Sequence, residues 1–314
     1  MYTAARAMFF RCLSGLHAGS GTDLGVVDLP IQRERHTGFP KVESSGVKGC
    51  LRETFDEVKG LPKDFVKVVF GPEEGVGQET KHSGAVAFTD ARILLFPVRS
   101  ARGVFAYTTC PLVLARLTED LKLAGIHLPI EICKTDKALV TSSRLIIPNS
   151  NKVVLEEYTY VVEENDKVKA IAKNIASWLG KEEDEYLLNN FILLPDDEFT
   201  DFVQNATEII TRIRINSDTG TVDDRALFTE ELLPTETVMY CLAMAGSAFL
   251  SEEDRRTSPT IEMANKTGNN EGTYIIKTLQ EKMPRYLQMG GNATIGKGLI
   301  EVSLEKGDEK SGEC

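Results

Sequence analysis

The stretch TEIITRIRINSDTGTVDDRALFTEELLP, residues 207–234, constrains the fold more than any other. Its first part alternates apolar and polar side chains, the period-2 signature of a strand with one buried face. A turn-rich run of Ser, Asp, Thr and Gly follows, then a second strand-like segment. Together they predict a long antiparallel hairpin. Around it, strand-like and helix-like segments are interspersed without the regular βα rhythm of a doubly wound sheet. The expected class is therefore α+β, a ferredoxin-like core carrying insertions.

Ala4 to Leu16 reads as a first strand, and HAGSGTDLG as a loop. Ser44 or Ser45 is placed to cap a helix through GVKGCLRETFDEVK, which puts Lys48 and Arg52 on one face at i, i+4. AVAFTDARILLFPVRS (85–100) reads as a strand broken near Pro97, and Pro111 opens a helix that Gly125 ends. KVVLEEYTYVVEE suggests one strand, and KVKAIAKNIASWLG an amphipathic helix. TVMYCLAMAG and GLIEVSLE read as strands, and NEGTYIIKTLQEKMPRYLQ as a helix. No repeat or low-complexity linker divides the chain, so 1–314 is expected to form one domain, with 305–314 a disordered tail.

A hydrophobic content of 42% and a charged content of 26% are those of a globular chain able to bury a large core. No apolar run approaches a membrane span, and the N-terminal residues are too broken for a signal peptide. Cys12, Cys50, Cys110, Cys133, Cys241 and Cys314 show no metal-ligand spacing, and their scatter suggests reduced thiols in a cytoplasmic protein. The net charge of -11 argues against nucleic acid only if charge is evenly spread. Along the chain it is uneven: residues 181–201 carry eight carboxylates against Lys181 alone, whereas Ile31 to Arg52 carries Arg33, Arg35, Lys41, Lys48 and Arg52 against Glu34 and Glu43; this leaves either one basic and one acidic face or, the plainer reading, scattered solvated charge.

Gly291 to Lys297 fits the expression G-x4-G-K, but a helix precedes and a strand follows, the reverse of a phosphate loop, and Gly298 replaces the Ser/Thr that would reach magnesium. Gly290, Gly291, Gly296 and Gly298 still permit close backbone approach, and loop N–H groups with Lys297 can meet a phosphate; an ordinary glycine-rich turn is the plainer reading. His17, His36, His82 and His127 lack metal spacing, and neither HExxH nor G-x-S-x-G occurs. Asp28 stands in an apolar run, VVDLP, with arginines just behind. Desolvation would raise its pKa and suit a general base; neighbouring cations would keep it ionised and suit metal ligation; a loop Asp capping backbone N–H groups is the ordinary alternative.

The segments LHAGSGTDLGVVDLPIQRERHTGFPKVESSGVKGCLRE, DARILLFPVRS, TRIRINSDTGTVDDRALFTEELLP and GGNATIGKG resemble, in this order, the RAMP superfamily, and within it the repeated backbone subunits of type III-B CRISPR (Cmr) effector complexes. The resemblance spans nearly the whole chain; 70–84 and 181–201 carry little of it. It implies a ferredoxin-like (RRM-like) palm with a β-hairpin thumb at about 208–234. It also implies copies stacked head-to-tail along a guide RNA, beside other subunits of the complex, and an endoribonuclease that cuts complementary single-stranded target RNA at regular intervals.

On that resemblance Asp28 falls at the essential aspartate, as ligand of a divalent metal (Mg2+ or Mn2+) or as base. His17 is a secondary candidate for proton transfer or phosphate contact, and Glu230 and Glu231 are weaker catalytic candidates. Arg33, Lys41, Lys48 and Arg52, with Gly290, Gly291, Gly296, Lys297 and Gly298, would hold RNA phosphates. The alternatives are a non-catalytic architectural subunit of the same filament, or a phosphate-handling metabolic enzyme using 290–298.

Overall fold

The computed structural model describes residues 2–72, 82–126, 135–213, 215–216, 218–222 and 227–305. The chain enters on β1 (Tyr2–Cys12), followed by β2 (Lys41–Val42), α1 (Ser44–Glu57), α2 (Phe65–Phe70), β3 (Val86–Phe88), β4 (Ala91–Arg99), β5 (Phe105–Thr109) and α3 (Pro111–Leu123). Next come β6 (Ala138–Val140), β7 (Lys152–Leu155), β8 (Tyr158–Glu164), α4 (Asp166–Trp178), α5 (Glu185–Asn189), β9 (Phe191–Leu193) and α6 (Asp196–Asn205). The hairpin strands β10 (Glu208–Arg212) and β11 (Phe228–Leu232) precede β12 (Val238–Gly246), α7 (Glu252–Thr257), α8 (Pro259–Lys266), α9 (Glu271–Lys282), β13 (Tyr286–Gln288) and β14 (Leu299–Leu304).

The fold is α+β, built on a large mixed sheet in the order β13-β14-β1-β12-β4-β5-β9-β6-β8-β7, with β2 added to β4 and β3 to β12. β1 and β12 form its centre, antiparallel, with Met8 opposite Cys241 and Phe9 opposite Tyr240. Their consecutive buried residues, Ala7–Phe10 and Val238–Ala243, mark strands covered on both faces. Helix α9 packs on β1 and β12, and α3 on β1 and β4. Trp178 of α4 stacks on Phe9 at 5.3 Å, fastening that helix to the same core.

Helix α4 follows its pattern. Val168, Ile171, Ala172, Ile175 and Ala176 line the buried stripe, and Asn165 Oδ1 caps it by accepting from the N–H groups of Lys167 and Val168. Such a cap contributes about 1 kcal/mol. Helix α1 departs from expectation. Neither Ser44 nor Ser45 caps it; the Ser44 N–H donates to Asp90 Oδ1, so a carboxylate 46 residues away closes the helix end.

The strand at 85–100 breaks at Thr89 and Asp90, between β3 and β4, and not at Pro97. Pairing of β4 with β12 ends at Leu95, so Pro97 lies where β4 has β5 as its neighbour and its missing N–H costs no ladder bond on the other side. KVVLEEYTYVVEE is two strands, β7 and β8, because Glu156 adopts a left-handed φ of 48° and its carboxylate holds Arg99. The last helix stops at Lys282, ahead of Pro284, and Tyr286–Gln288 turns into sheet. β1 ends at Cys12 rather than Leu16. Of the expected tail, 306–314 lies outside the described residues. Among the described residues no helix is long and apolar enough to cross a membrane.

Candidate functional site

The site is built around β11. On one side β11 pairs with β10, with Ile210 opposite Glu230 and Thr211 opposite Thr229. On the other side lies the segment 17–31. Leu16 bridges Leu233; the Leu29 N–H donates to Thr229 O, and the Glu231 N–H to Leu29 O, both at 3.0 Å. The segment doubles back on itself. Ser20 N–H donates to Pro30 O, Gln32 N–H to Ala18 O, and Asp23 N–H to Asp28 O across its tip. A loop rich in glycine and short polar residues thus becomes a flap hydrogen-bonded to a strand two hundred residues later.

Asp28 sits on this flap, exposed to solvent. Its Oδ2 accepts from the Thr229 N–H at 2.7 Å and from Thr229 Oγ1 at 2.8 Å, and its own N–H donates to Thr229 Oγ1 at 3.0 Å. The backbone and hydroxyl donors of Thr229 hold the carboxyl below its ordinary pKa, so it is ionised at neutral pH. Desolvation opposes this and is outweighed, for Asp28 is exposed and Val26 in the same run is fully so. Oδ1 has no hydrogen-bond partner among the described residues.

Glu230 and Glu231 are buried and committed. Glu231 accepts from Arg33, from Thr207 Oγ1 and from the Ile31 N–H. Glu230 accepts from Arg212 Nε at 2.7 Å and from Asn292 Nδ2, and faces His17 Nε2 at 3.7 Å. His17 Nδ1 lies 2.8 Å from Glu231 O, a contact in which Nδ1 carries the proton because a carbonyl can only accept. His17 is mostly enclosed, its ring edge against Gly19 and Gly291. Asp28 meets β11 at Thr229 and His17 meets it at Glu231. Two residues of strand, roughly 7 Å, separate their anchors.

The glycine loop forms the wall behind His17. The Gly291 N–H donates to His17 O and the Gly298 N–H to Gly15 O, each at 2.9 Å; Lys297 N–H donates to Asn292 O and Gly296 N–H to Ala293 O. These N–H groups, expected to face phosphate, are used inside the protein. The glycines serve close approach: a Cβ on Gly290 would meet His17 O at 2.4 Å, and one on Gly298 would meet Met289 O at 2.0 Å.

The basic stretch is also partly neutralised. Arg33 donates to Gly38 O, Val203 O and Glu231, and Lys41 lies between Glu43 and Asp90 at 2.6 and 2.9 Å. Both are held by internal partners. Arg52 donates to Gly71 O. Lys48 differs. Burial first, then the neighbouring Arg52, lowers its pKa, and no carboxylate among the described residues pairs with it. Such a cation gains from an incoming anion. Helix α1 is tied to the run-up of the glycine loop through Cys50 Sγ donating to Gln288 O, so Lys48, Arg52 and Lys297 belong to connected elements.

In the acidic stretch, Asp184 caps α5 and Asp196, Asp197 and Glu198 occupy the first turn of α6, where a helix N-terminus favours negative charge. No group of three or more His, Cys, Asp or Glu able to hold a metal occurs among the described residues. One ionised carboxylate with a free oxygen suits an ion that keeps waters and takes its other ligands from substrate phosphates, the usual habit of Mg2+. Thr229, Arg212 and Asn292 escaped the sequence reading, for no spacing links any of them to Asp28 or His17.

The model of the RAMP superfamily matches residues 9–301. The CRISPR system Cmr endoribonuclease Cmr4 of Pyrococcus furiosus is 38% identical over 94% of this chain and 93% of its own length. The CRISPR system CMR subunit Cmr4 of Saccharolobus solfataricus is 24% identical over 96% of each. Among solved structures, oligomeric Cmr4 from Pyrococcus furiosus superposes with a TM-score of 0.70 at 31% identity, covering 97% of this chain and all of that one. A chain of a type III-B Cmr-beta complex bound to cognate target RNA superposes at 0.69 with 20% identity, which speaks for the fold alone. A likeness that runs from the first strand to the last, through the flap, the hairpin and the glycine loop, places the chain in the RAMP superfamily.

Proposed function

We propose that this protein is the repeated backbone subunit of a type III-B CRISPR effector, binding guide RNA and cleaving complementary target RNA at regular intervals. One observation carries the reading: an exposed, ionised Asp28 pinned to strand β11 of the β10–β11 hairpin, in a chain 38% identical to a Cmr endoribonuclease. The large mixed sheet supplies a ferredoxin-like palm within a single RAMP domain, and β10–β11 with their connection at 208–234 supply the thumb. Ile209, Ile213, Ile215, Val222 and Leu227 are exposed there, apolar side chains suited to replacing a stacked base. Copies repeat head-to-tail, a heterologous contact that builds an open filament. Lys48, Arg52 and Lys297 provide affinity for guide phosphates, and base pairing reads sequence. Four described cysteines are free thiols, in keeping with a reducing, cytoplasmic setting.

Regular A-form pairing keeps each 2′-OH out of line with the adjacent P–O5′ bond. A displaced nucleotide lets its ribose rotate, and the 2′ oxygen then attacks its own phosphorus in line. The P–O5′ bond breaks, the 2′ proton is lost, the O5′ leaving group is protonated, and a 2′,3′-cyclic phosphate remains. Asp28 offers its free Oδ1 to this centre. A divalent cation held by Asp28 and by substrate phosphates would neutralise the charge that develops on the phosphoryl oxygens. His17 and Glu230, mostly enclosed and hydrogen-bonded within the protein, support the flap from behind.

The test is the size ladder of target RNA produced by the assembled, guide-loaded complex. Asp28→Asn removes the charge while its amide oxygen can keep both Thr229 bonds. Loss of the ladder with guide and target binding retained is the expected result; normal cutting sinks the reading. A complex with intact Asp28, guide, target and metal that never cuts would instead favour the architectural alternative.

A further inference from the structure

Thr229 is the only residue that fixes both the position and the rotation of the Asp28 side chain among the described residues. Its Oγ1 accepts the Asp28 N–H, which leaves the hydroxyl proton to point at Oδ2, while its own backbone N–H donates to the same oxygen. The two residues close a small ring of three hydrogen bonds. Both donors converge on Oδ2, so Oδ1 is turned outward. Thr229 itself is held from both sides, paired with Thr211 on β10 and receiving the Leu29 N–H on its carbonyl. The position of the hairpin strand is thereby transmitted to the carboxylate through the backbone N–H and the hydroxyl of one residue.

We infer that Thr229 is a positioning residue for RNA cleavage, aiming Oδ1 of Asp28 at the scissile phosphate and coupling that aim to the seating of the hairpin. This rests on the nuclease reading above. Thr229 touches neither RNA nor reacting atoms in this role; it acts through Asp28. An exposed aspartate on a flap whose tip is open to water would otherwise sample several rotamers. Holding it in one is an orientational contribution, and misplacement by an ångström commonly costs up to about a hundredfold in rate.

The experiment compares Thr229→Val, Thr229→Ser and Asp28→Asn in the assembled, guide-loaded complex. Valine keeps the β-branched shape and the backbone N–H but removes the hydroxyl. Single-turnover cleavage at saturating target is measured beside the Kd for target and the melting temperature. Thr229→Val is expected to slow cleavage roughly 10- to 100-fold with Kd and melting temperature unchanged. Thr229→Ser is expected to cut within a few-fold of the native rate. If Thr229→Val cuts normally while Asp28→Asn is inactive, the inference fails and the nuclease reading stands. If Thr229→Val loses target affinity and stability together with rate, and serine does not restore them, Thr229 is only a fold residue and the inference is overturned. Should Asp28→Asn cut normally, the reading beneath it falls as well.

Discussion

Arg212 on β10 holds Glu230 on β11 diagonally across the hairpin, its Nε and Nη2 each 2.7 Å from Oε2, with the glutamate 3% exposed. The same glutamate accepts from Asn292 of the glycine loop and faces His17. One buried carboxylate therefore joins the hairpin, the flap and the glycine loop. Removing its cation leaves the carboxylate in a poorly solvated place with only Asn292 and His17 beside it. Arg212→Ala is expected to destabilise the protein by about 2–4 kcal/mol, read from the denaturant midpoint. The double variant Arg212→Ala with Glu230→Gln should recover part of that loss, since it removes the stranded charge. Equal losses in the single and the double variant would contradict this account.

Arg33 and Lys48 both belong to the basic stretch, yet the structure uses them differently. Arg33 is consumed by Glu231 and two carbonyls, whereas Lys48 has no carboxylate partner among the described residues. Lys48→Ala is expected to reduce the slope of log K against log salt for guide binding by about 1, the loss of one phosphate contact. Arg33→Ala is expected to lower stability and leave that slope alone. Filter binding across a salt series separates the two, and a changed slope for Arg33→Ala would return it to the RNA-binding surface.

Much of the scaffold was legible because its signals are local. The stripe of α4 follows from Val168, Ile171 and Ile175, and the hairpin from the alternation of 207–216 against 227–234. What escaped depends on chain segments meeting from afar. Asp90 closes α1 from beyond an intervening helix, and Glu156 turns β7 into β8 without Gly or Asn because Arg99 holds it. At the site, the resemblance pointed to Asp28, but not to why it stays ionised. The reason is Thr229, 201 residues on, and not the arginines just behind it. A sequence shows which cations exist, Arg33 and Lys41 among them, and not which carboxylates fold back onto them.

Three glycines of one loop separate steric from conformational demand. Gly290, Gly296 and Gly298 all have φ between 74 and 75° or close to it, at 72°. A Cβ on Gly296 meets nothing within 4 Å, whereas on Gly290 and Gly298 it strikes backbone carbonyls at 2.4 and 2.0 Å. Gly296→Ala is expected to cost about 1–2 kcal/mol, the left-handed penalty alone. Gly290→Ala and Gly298→Ala should cost several times that and displace His17 or Met289. Denaturation of the three variants checks the order; equal losses would show that the loop yields freely.

Acid should loosen the sheet edge at β13 and β14 through Glu301. Burial alone would raise its pKa, but hydrogen bonds from Arg285 and Arg11 and the charges of Arg11 and Lys181 outweigh burial and hold it below 4.5. Asp90 is lowered in the same way, burial opposed by Lys41 and the Ser44 N–H, from 3.8. A carboxylate with a depressed folded-state pKa stabilises fully above its unfolded value and loses that contribution as pH falls through the folded one. Stability is therefore expected to be flat in this respect above about pH 5 and to fall steadily below 4.5. Glu301→Gln should start lower at neutral pH and show a shallower acid limb, because the variant has no proton to take up there. Urea denaturation from pH 3 to 7 measures both limbs, and an acid limb as steep in the variant as in the native chain would assign the proton uptake to other groups.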